Sequence, residues 1–276
     1  MKILVTGAGG QLARELLCYC ENIYPFKKEE LDITNRDQCE EVYNRIKPDL
    51  IIHCAAYTKV DDAENKKSEA YRVNYHGTVH LADLTKQNNS KLCFISTDYV
   101  FDGEKSSPYF ETDYTNPVNF YGVSKRDAED YIQNNVPNHY IVRTSWLYGK
   151  VGNNFVKTMI KLANINQTIR VVDDQVGSPT NANDLAYFII QLIKTDKYGI
   201  YHATNGGECS WFDFAKHVFK QMNIHSSLVP IKSIDYQTAA KRPKYSVLDN
   251  GKLKAEGFKQ LDHWKEALDR FLSTLK

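Results

Sequence analysis

No run in the sequence reaches the roughly 18 unbroken apolar residues that a membrane-crossing helix needs, so no membrane partner is expected. Net charge is nearly absent: 35 Lys and Arg stand against 34 Asp and Glu, giving +1. A chain without a broad basic field lacks the footprint of a duplex-DNA binder, and no nucleic-acid partner is expected, although a local anion site stays open. The six cysteines contain no C-x-x-C pair, which removes zinc-ribbon and thioredoxin-like readings. There is no internal repeat and no low-complexity tract. The apolar stretch ahead of Gly7 is too short for the core of a secretory signal. The resulting expectation is a cytoplasmic chain whose cysteines are free thiols.

What is present is ordinary for a globular protein. Of 276 residues, 42% are hydrophobic and 25% charged, unlike a disordered chain, a collagen or a coiled coil. The length suits one large domain or two modest ones and a substantial core. His76 and His80 have the i, i+4 spacing of two metal ligands on one helix face. No third ligand accompanies them, so no metal site is assigned.

Apolar runs and helical patterns alternate through the first half. Strands are expected at 2–6, 23–26, 50–54, 91–96 and 140–144, with helices at 11–20, 37–46, 68–87 and 121–135. Strands apolar throughout and separated by helices imply a parallel sheet covered on both faces. The expected fold class is therefore α/β, a Rossmann-like doubly wound parallel sheet with a smaller C-terminal substrate lobe. Residues 1–145 would form the dinucleotide-binding part, with segments of 180–203 returning to it. Residues 146–276 would form most of the other lobe, through helices at 155–164, 184–194, 210–222 and 263–275. A strand is expected at 199–203, and Ser210 with Asp213 resembles a helix capping box.

The first strand runs into Gly7-Ala8-Gly9-Gly10-Gln11-Leu12-Ala13. Gly7 and Gly10 have G-x-x-G spacing after a strand and before a helix. There glycine permits a tight turn, and backbone N–H groups can meet a pyrophosphate. The third position of the longer motif is Ala13. After the second strand come Lys27 and Lys28, then Glu29 and Glu30. Basic residues there favour a 2′-phosphate, so NADP(H) is the preferred cofactor and NAD(H) the alternative.

Tyrosine and lysine four apart on a helix share one face. The ammonium can lower the phenol pKa and hold a ribose while the phenol exchanges a proton with a substrate oxygen. With 18 tyrosines, chance matches arise, and three exist: Tyr24/Lys28, Tyr43/Lys47 and Tyr121/Lys125. Only the last opens a helix after strand four, where Ser96 and Thr97 end the strand at the sheet edge that binds ligands in α/β folds.

These parts resemble the extended short-chain dehydrogenase/reductase superfamily, and longer strings resemble the dTDP-4-dehydrorhamnose reductase family. The strings are CAAYTKVD from Cys54, STDYVFDG from Ser96, RTSWLYG from Arg143, GNNF from Gly152, DQVGSPT from Asp174 and Arg242-Pro243. The resemblance spans nearly the whole chain. It implies Thr97, Tyr121 and Lys125 as the catalytic set. It implies a cofactor along Gly7, Gly10, Gln11, Leu12, Lys27, Asp32, Ile33, Ala55, Ala56 and Tyr57, with Tyr121 and Lys125 beside it. The sugar nucleotide would meet Val60, Thr97, Asp98 and Trp146, and Arg242 would face its diphosphate, by its charge and position. The implied reaction reduces the C4 ketone of a dTDP-4-keto-6-deoxysugar, dTDP-4-dehydro-β-L-rhamnose, on the way to cell-surface polysaccharide. Some relatives associate Mg2+ with acidic residues at a dimer contact. No full set is found here, so Mg2+ and the choice between monomer and homodimer stay open. Two rivals remain: reduction of another dTDP-4-keto sugar, and a non-catalytic dinucleotide-binding subunit like the regulatory subunit of methionine adenosyltransferase.

Overall fold

The computed structural model describes residues 1–275. Its strands are β1 (Ile3–Thr6), β2 (Ile23–Phe26), β3 (Leu50–His53), β4 (Lys91–Thr97), β5 (His139–Thr144), β6 (Leu147–Tyr148), β7 (Thr168–Val172), β8 (Val176–Gly177), β9 (Thr180–Asn181), β10 (Gly199–His202), β11 (Cys209–Ser210) and β12 (Ser227–Ile231). The α-helices are α1 (Gln11–Leu16), α2 (Arg36–Ile46), α3 (Val60–Asn65), α4 (Lys67–Tyr71), α5 (Gly77–Gln87), α6 (Phe120–Asn135), α7 (Phe155–Ala163), α8 (Ala182–Leu192), α9 (Trp211–Gln221), α10 (Gly251–Ala255) and α11 (Trp264–Ser273).

Six strands form one sheet in the order β10-β5-β4-β3-β1-β2, every neighbouring pair parallel. All four residues of β1 and of β3 are buried, because helices cover both faces. Ile3 and Val5 pack with Leu12 and Leu16 of α1 and with Leu185 and Ile189 of α8. Leu4 and Ile51 point the other way, onto Val42 of α2, Leu81 of α5 and Ile132 of α6. Thus α8 and β10, late in the chain, build onto the first sheet. The order reverses between β1 and β3, and a crevice opens there beyond the carboxyl ends of the strands.

A second core gathers Val156 of α7, Phe214 and Val218 of α9, and Leu268 and Phe271 of α11. Ser210 and Asp213 do form a capping box at the start of α9. The parallel pair β7 and β12 lies in segments that read as irregular and polar, since half of these residues face solvent.

Two expected elements differ. The helix expected at 11–20 ends at Leu16, where Cys18 and Tyr19 bond three residues back to Glu15 and Leu16 and tighten the turn. The helix expected at 68–87 is broken by a π turn, Arg72–His76. One extra residue per turn escapes a periodicity reading. It delivers Asn74 inward, where its amide accepts from Tyr57 N at 2.7 Å and donates to Ser124 Oγ at 2.9 Å. Helix α3 was not anticipated at all. His76 packs edge-on to Tyr71, whereas His80 Nδ1 bonds the Ile33 carbonyl at 2.9 Å. Among the described residues none of the six cysteines is paired, and no helix is long and apolar enough to cross a membrane.

Candidate active site

A cavity of about 520 Å³ lies over the ends of β4 and β5, closed on its far side by the second lobe. A second cavity, about 670 Å³, runs along the ends of β1 and β2. Gly9, Gly10, Cys54, Ala56 and Thr58 line both, so the two form one elongated crevice.

The turn between β1 and α1 is built to let backbone approach. Gly7 has φ +68°, and a Cβ there would lie 2.7 Å from Ala55 N. Any side chain would meet both a left-handed backbone and a clash. Gly10 caps α1 without a side chain, so the N–H groups of the first helical turn keep no side-chain partner. Uncapped donors where the two cavities join fit the pyrophosphate of a dinucleotide. Gln11 and Leu12 line the first cavity. Ala13 is fully buried under the sheet, so its methyl is accommodated in the packing. Gln11 Oε1 accepts from Asn154 Nδ2 at 2.9 Å, which ties this turn to the second lobe.

Lys27, Asp32, Ile33, Ala55, Ala56 and Tyr57 all line the second cavity. Asp32 Oδ1 accepts from Thr34 N and Oγ1 at 3.0 and 2.8 Å. The Tyr57 hydroxyl donates to Asp62. Lys28 and Arg14 line this cavity too. Arg14 was missed, although its place one helical turn after Gly10 was readable as the signal. Replacing Arg14, Lys27 and Lys28 with Ala is expected to weaken NADPH about tenfold or more, the scale of one charge-assisted hydrogen bond. NADH should bind nearly unchanged. Fluorescence titration with both nucleotides measures this, and equal weakening would place these cations on the solvated surface.

Thr97, Tyr121 and Lys125 meet on one wall of the first cavity. Asn119 caps α6 by accepting from Gly122 N at 2.8 Å, which starts the helix one residue ahead of Tyr121. Lys125 is 1% exposed. Its Nζ donates to the Ile95 carbonyl at 2.7 Å and sits 3.8 Å over the Phe94 ring. Burial brings the ammonium down to about 7, against the opposing charge of Glu129 and the Cys54 thiol. The expected lowering of the phenol pKa is not what this arrangement produces. Burial pushes the Tyr121 phenol up, Asp98 adds to the rise, and the Thr97 hydroxyl opposes it. Lys125 does not counter the rise: its Nζ faces a carbonyl and an aromatic ring.

Asp98 is 2% exposed. Its Oδ1 accepts from Thr97 Oγ1 at 3.0 Å, whereas Oδ2 has no partner. Burial raises this carboxyl to about 7, with the Thr97 hydrogen bond and the nearby Ser246 hydroxyl opposing. The folded state therefore binds more protons than the unfolded chain between the usual Asp range and about 7. Stability from this group is present at low pH and is lost as pH rises to about 7. Asp98→Asn is expected to raise Tm relative to the parent by several degrees at pH 8 and by little at pH 5. Calorimetry at the two pH values checks the sign, and a gain that shrinks with pH would refute the buried-carboxylate account.

Val60 and Trp146 also line this cavity, together with Trp211, which the sequence reading did not single out. Arg242 is placed differently from the expectation. Its guanidinium donates to both Asp61 oxygens, at 3.1 and 2.6 Å, and to the Ala240 carbonyl. It is not among the cavity-lining residues. A bidentate carboxylate 181 residues away in sequence satisfies it, and nothing local signals that pairing.

The model of the family described as RmlD substrate binding domain matches residues 1–276. The chain belongs to that family. A dTDP-4-dehydrorhamnose reductase of Aggregatibacter actinomycetemcomitans is 43% identical, with 97% of each chain covered. A dTDP-4-keto-6-deoxy-D-glucose reductase of Streptomyces niveus is 37% identical over 96% of this chain and 94% of its own. The solved dTDP-4-dehydrorhamnose reductase of Bacillus anthracis, in complex with NADP, is 45% identical with a TM-score of 0.96, covering 99% of this chain and 100% of that one. The overall fold described above is thus shared with a protein solved in complex with NADP. Among the described residues of this chain no group of three or more His, Cys, Asp or Glu side chains is placed to hold a metal ion.

Proposed function

We propose that this chain reduces the C4 ketone of dTDP-4-dehydro-β-L-rhamnose to dTDP-L-rhamnose with NADPH as preferred reductant, supplying activated rhamnose for cell-surface polysaccharide. The observation that carries the reading is the convergence of Thr97, Tyr121 and Lys125 on a cavity continuous with the glycine-turn crevice. Residues 1–145 together with segments of 180–203 take the dinucleotide, and the remainder of 146–276 closes over the sugar nucleotide.

The nicotinamide supplies a hydride to the carbonyl carbon when bound. Gly7, Gly10, Gln11 and Leu12 would hold its pyrophosphate, and Asp32, Ile33 and the nearby cations its adenosine end. The chain's own part is the proton. A phenol pushed up by burial stays protonated through the neutral range, which is the state a reductase needs in its donor. Tyr121 then gives its proton to the oxygen that gains charge at C4. Thr97 stands beside that oxygen, but in the structure its hydroxyl proton points to Asp98. Below about pH 7 Asp98 can carry a proton of its own and donate to Thr97, which frees the threonine proton for the developing alkoxide. Lys125, anchored on Ile95, sets a positive charge deep in the same wall below about pH 7.

Reduction of another dTDP-4-keto-6-deoxysugar is the second reading, favoured by the 37% identity to the Streptomyces niveus enzyme. Oxidation of NADPH and NADH is to be followed with a panel of dTDP-4-keto sugars. The reading requires highest kcat/KM with dTDP-4-dehydro-β-L-rhamnose. Nucleotide binding without turnover of any panel member would instead make the chain a non-catalytic dinucleotide-binding subunit.

A further inference from the structure

Trp146 follows β5 and carries φ +47°, a left-handed backbone that a bulky residue adopts only where its surroundings enforce it. Two neighbours are placed to do so. Trp211, the first residue of α9, stacks on it with ring centroids 3.5 Å apart and planes 8° from parallel. Gly177 of β8 backs the indole edge: a Cβ there would lie 2.6, 2.8 and 2.8 Å from three indole atoms, Cε2, Cζ2 and Nε1. These are the three nearest atoms, so a methyl at 177 meets Trp146 first. The φ of Gly177 is not in the left-handed range, and alanine is conformationally allowed there. Trp211 also packs against Phe155, at 4.5 Å between ring centroids and with planes tilted by 45°. Both indoles line the cavity that contains Thr97, Tyr121 and Lys125.

From this geometry we infer that Trp211 and Gly177 are positioning residues for sugar-nucleotide binding: they clamp Trp146 in its strained conformation and leave one indole face for the ligand. The clamp comes from the second lobe, whereas the reacting groups come from the first, so it fixes where the sugar sits relative to Tyr121. An indole face covers the C–H side of a pyranose or a 6-deoxy methyl group. With Trp211 occupying one face of Trp146, the apolar side of the sugar has a single face to meet. The inference rests on the keto-sugar reductase reading and adds residues to it that do not act on the proton or the cofactor.

The test is a mutant cycle on the full chain with dTDP-4-keto sugar as substrate. Trp211→Ala and Gly177→Ala are each expected to raise KM about three- to tenfold, the scale of one aromatic pair, with NADPH affinity unchanged. Trp211→Phe should restore most of the loss. In a Trp146→Ala background, Gly177→Ala and Trp211→Ala should add little, because the residue they position is gone. The stacked indoles should also give an exciton-coupled circular dichroism signal, abolished by Trp211→Ala and altered by Gly177→Ala. Additive KM effects in the Trp146→Ala background, or unchanged KM in both single variants, would overturn the clamp. If Trp211→Ala does not fold, Trp211→Phe and Gly177→Ala decide by the same criteria. A parent protein inert toward every keto sugar would overturn the reductase reading instead. The clamp then stands or falls on the dichroism signal and its response to Gly177→Ala.

Discussion

Tyr121→Phe is expected to lower kcat at least about 100-fold, the low end for loss of a positioned acid, with NADPH affinity nearly unchanged. The substitution removes one oxygen from the cavity wall and leaves the ring, whose edge-on contact with Tyr99 at 6.0 Å between centroids persists. The alternative donors are poor. The Thr97 hydroxyl is engaged by Asp98 and by Tyr99 N–H, and Lys125 Nζ is engaged by the Ile95 carbonyl. Steady-state kinetics beside a nucleotide titration measures the split. A variant with near-normal turnover would remove Tyr121 from the mechanism, whereas loss of NADPH binding in parallel would make the effect structural.

Glu129→Gln is expected to cost about 3 kcal/mol of stability, because it strands a buried cation. Arg143 and Glu129 are 2% and 1% exposed and face each other from β5 and α6. The guanidinium donates to both carboxylate oxygens through Nε at 3.1 Å and to one through Nη2 at 2.6 Å. Its remaining arm meets His202 Nε2 at 3.3 Å, and the His202 Nδ1–H donates to the Tyr109 carbonyl. Burial holds His202 well below its usual pKa, with the Arg143 charge adding to that, so it cannot replace the lost anion but would only add to the charge. At this chain length such a loss lowers Tm by roughly 5 °C. Exchanging both partners for Met and Leu should recover much of it, since a well-packed apolar pair avoids the desolvation cost. The same carboxylate supports the charge of Lys125 against burial. The limb of the pH–rate profile that depends on that ammonium should therefore move to lower pH in Glu129→Gln. Thermal melts and pH–rate profiles check the two halves. An unchanged Tm would mean that solvent reaches the pair.

The parts of the fold that could be read from the sequence were those written in short-range order. The strands β1 to β5 are built around short apolar runs, and the structure pairs them in parallel. The glycine turn could be read because only glycine accepts the φ and the Ala55 contact found at Gly7. Position in the chain separated Tyr121/Lys125 from the two other matches. Tyr43 is buried on Ser90, at 2.7 Å, and Lys28 sits at the far end of the crevice. Less could be read where an element departs from its period. The π turn that aims Asn74 inward, and the half-exposed β7 and β12, gave no clean signal at 3.6 or 2.0 residues per repeat.

By itself the sequence determined the strands β1 to β5, the glycine turn and the helical spacing of Tyr121 and Lys125, because each depends on residues close together in the chain. Only the tertiary structure decided what those groups face. Trp146 and Trp211 become a stacked pair across 65 residues, and Arg242 is claimed by Asp61 from the other lobe. Burial, which belongs to the folded whole, raises the Tyr121 phenol and the Asp98 carboxyl and lowers the Lys125 ammonium. A residue's type sets which proton it can exchange, but the solvent and charges around it set whether it holds that proton at neutral pH, and those are assembled from distant parts of the chain.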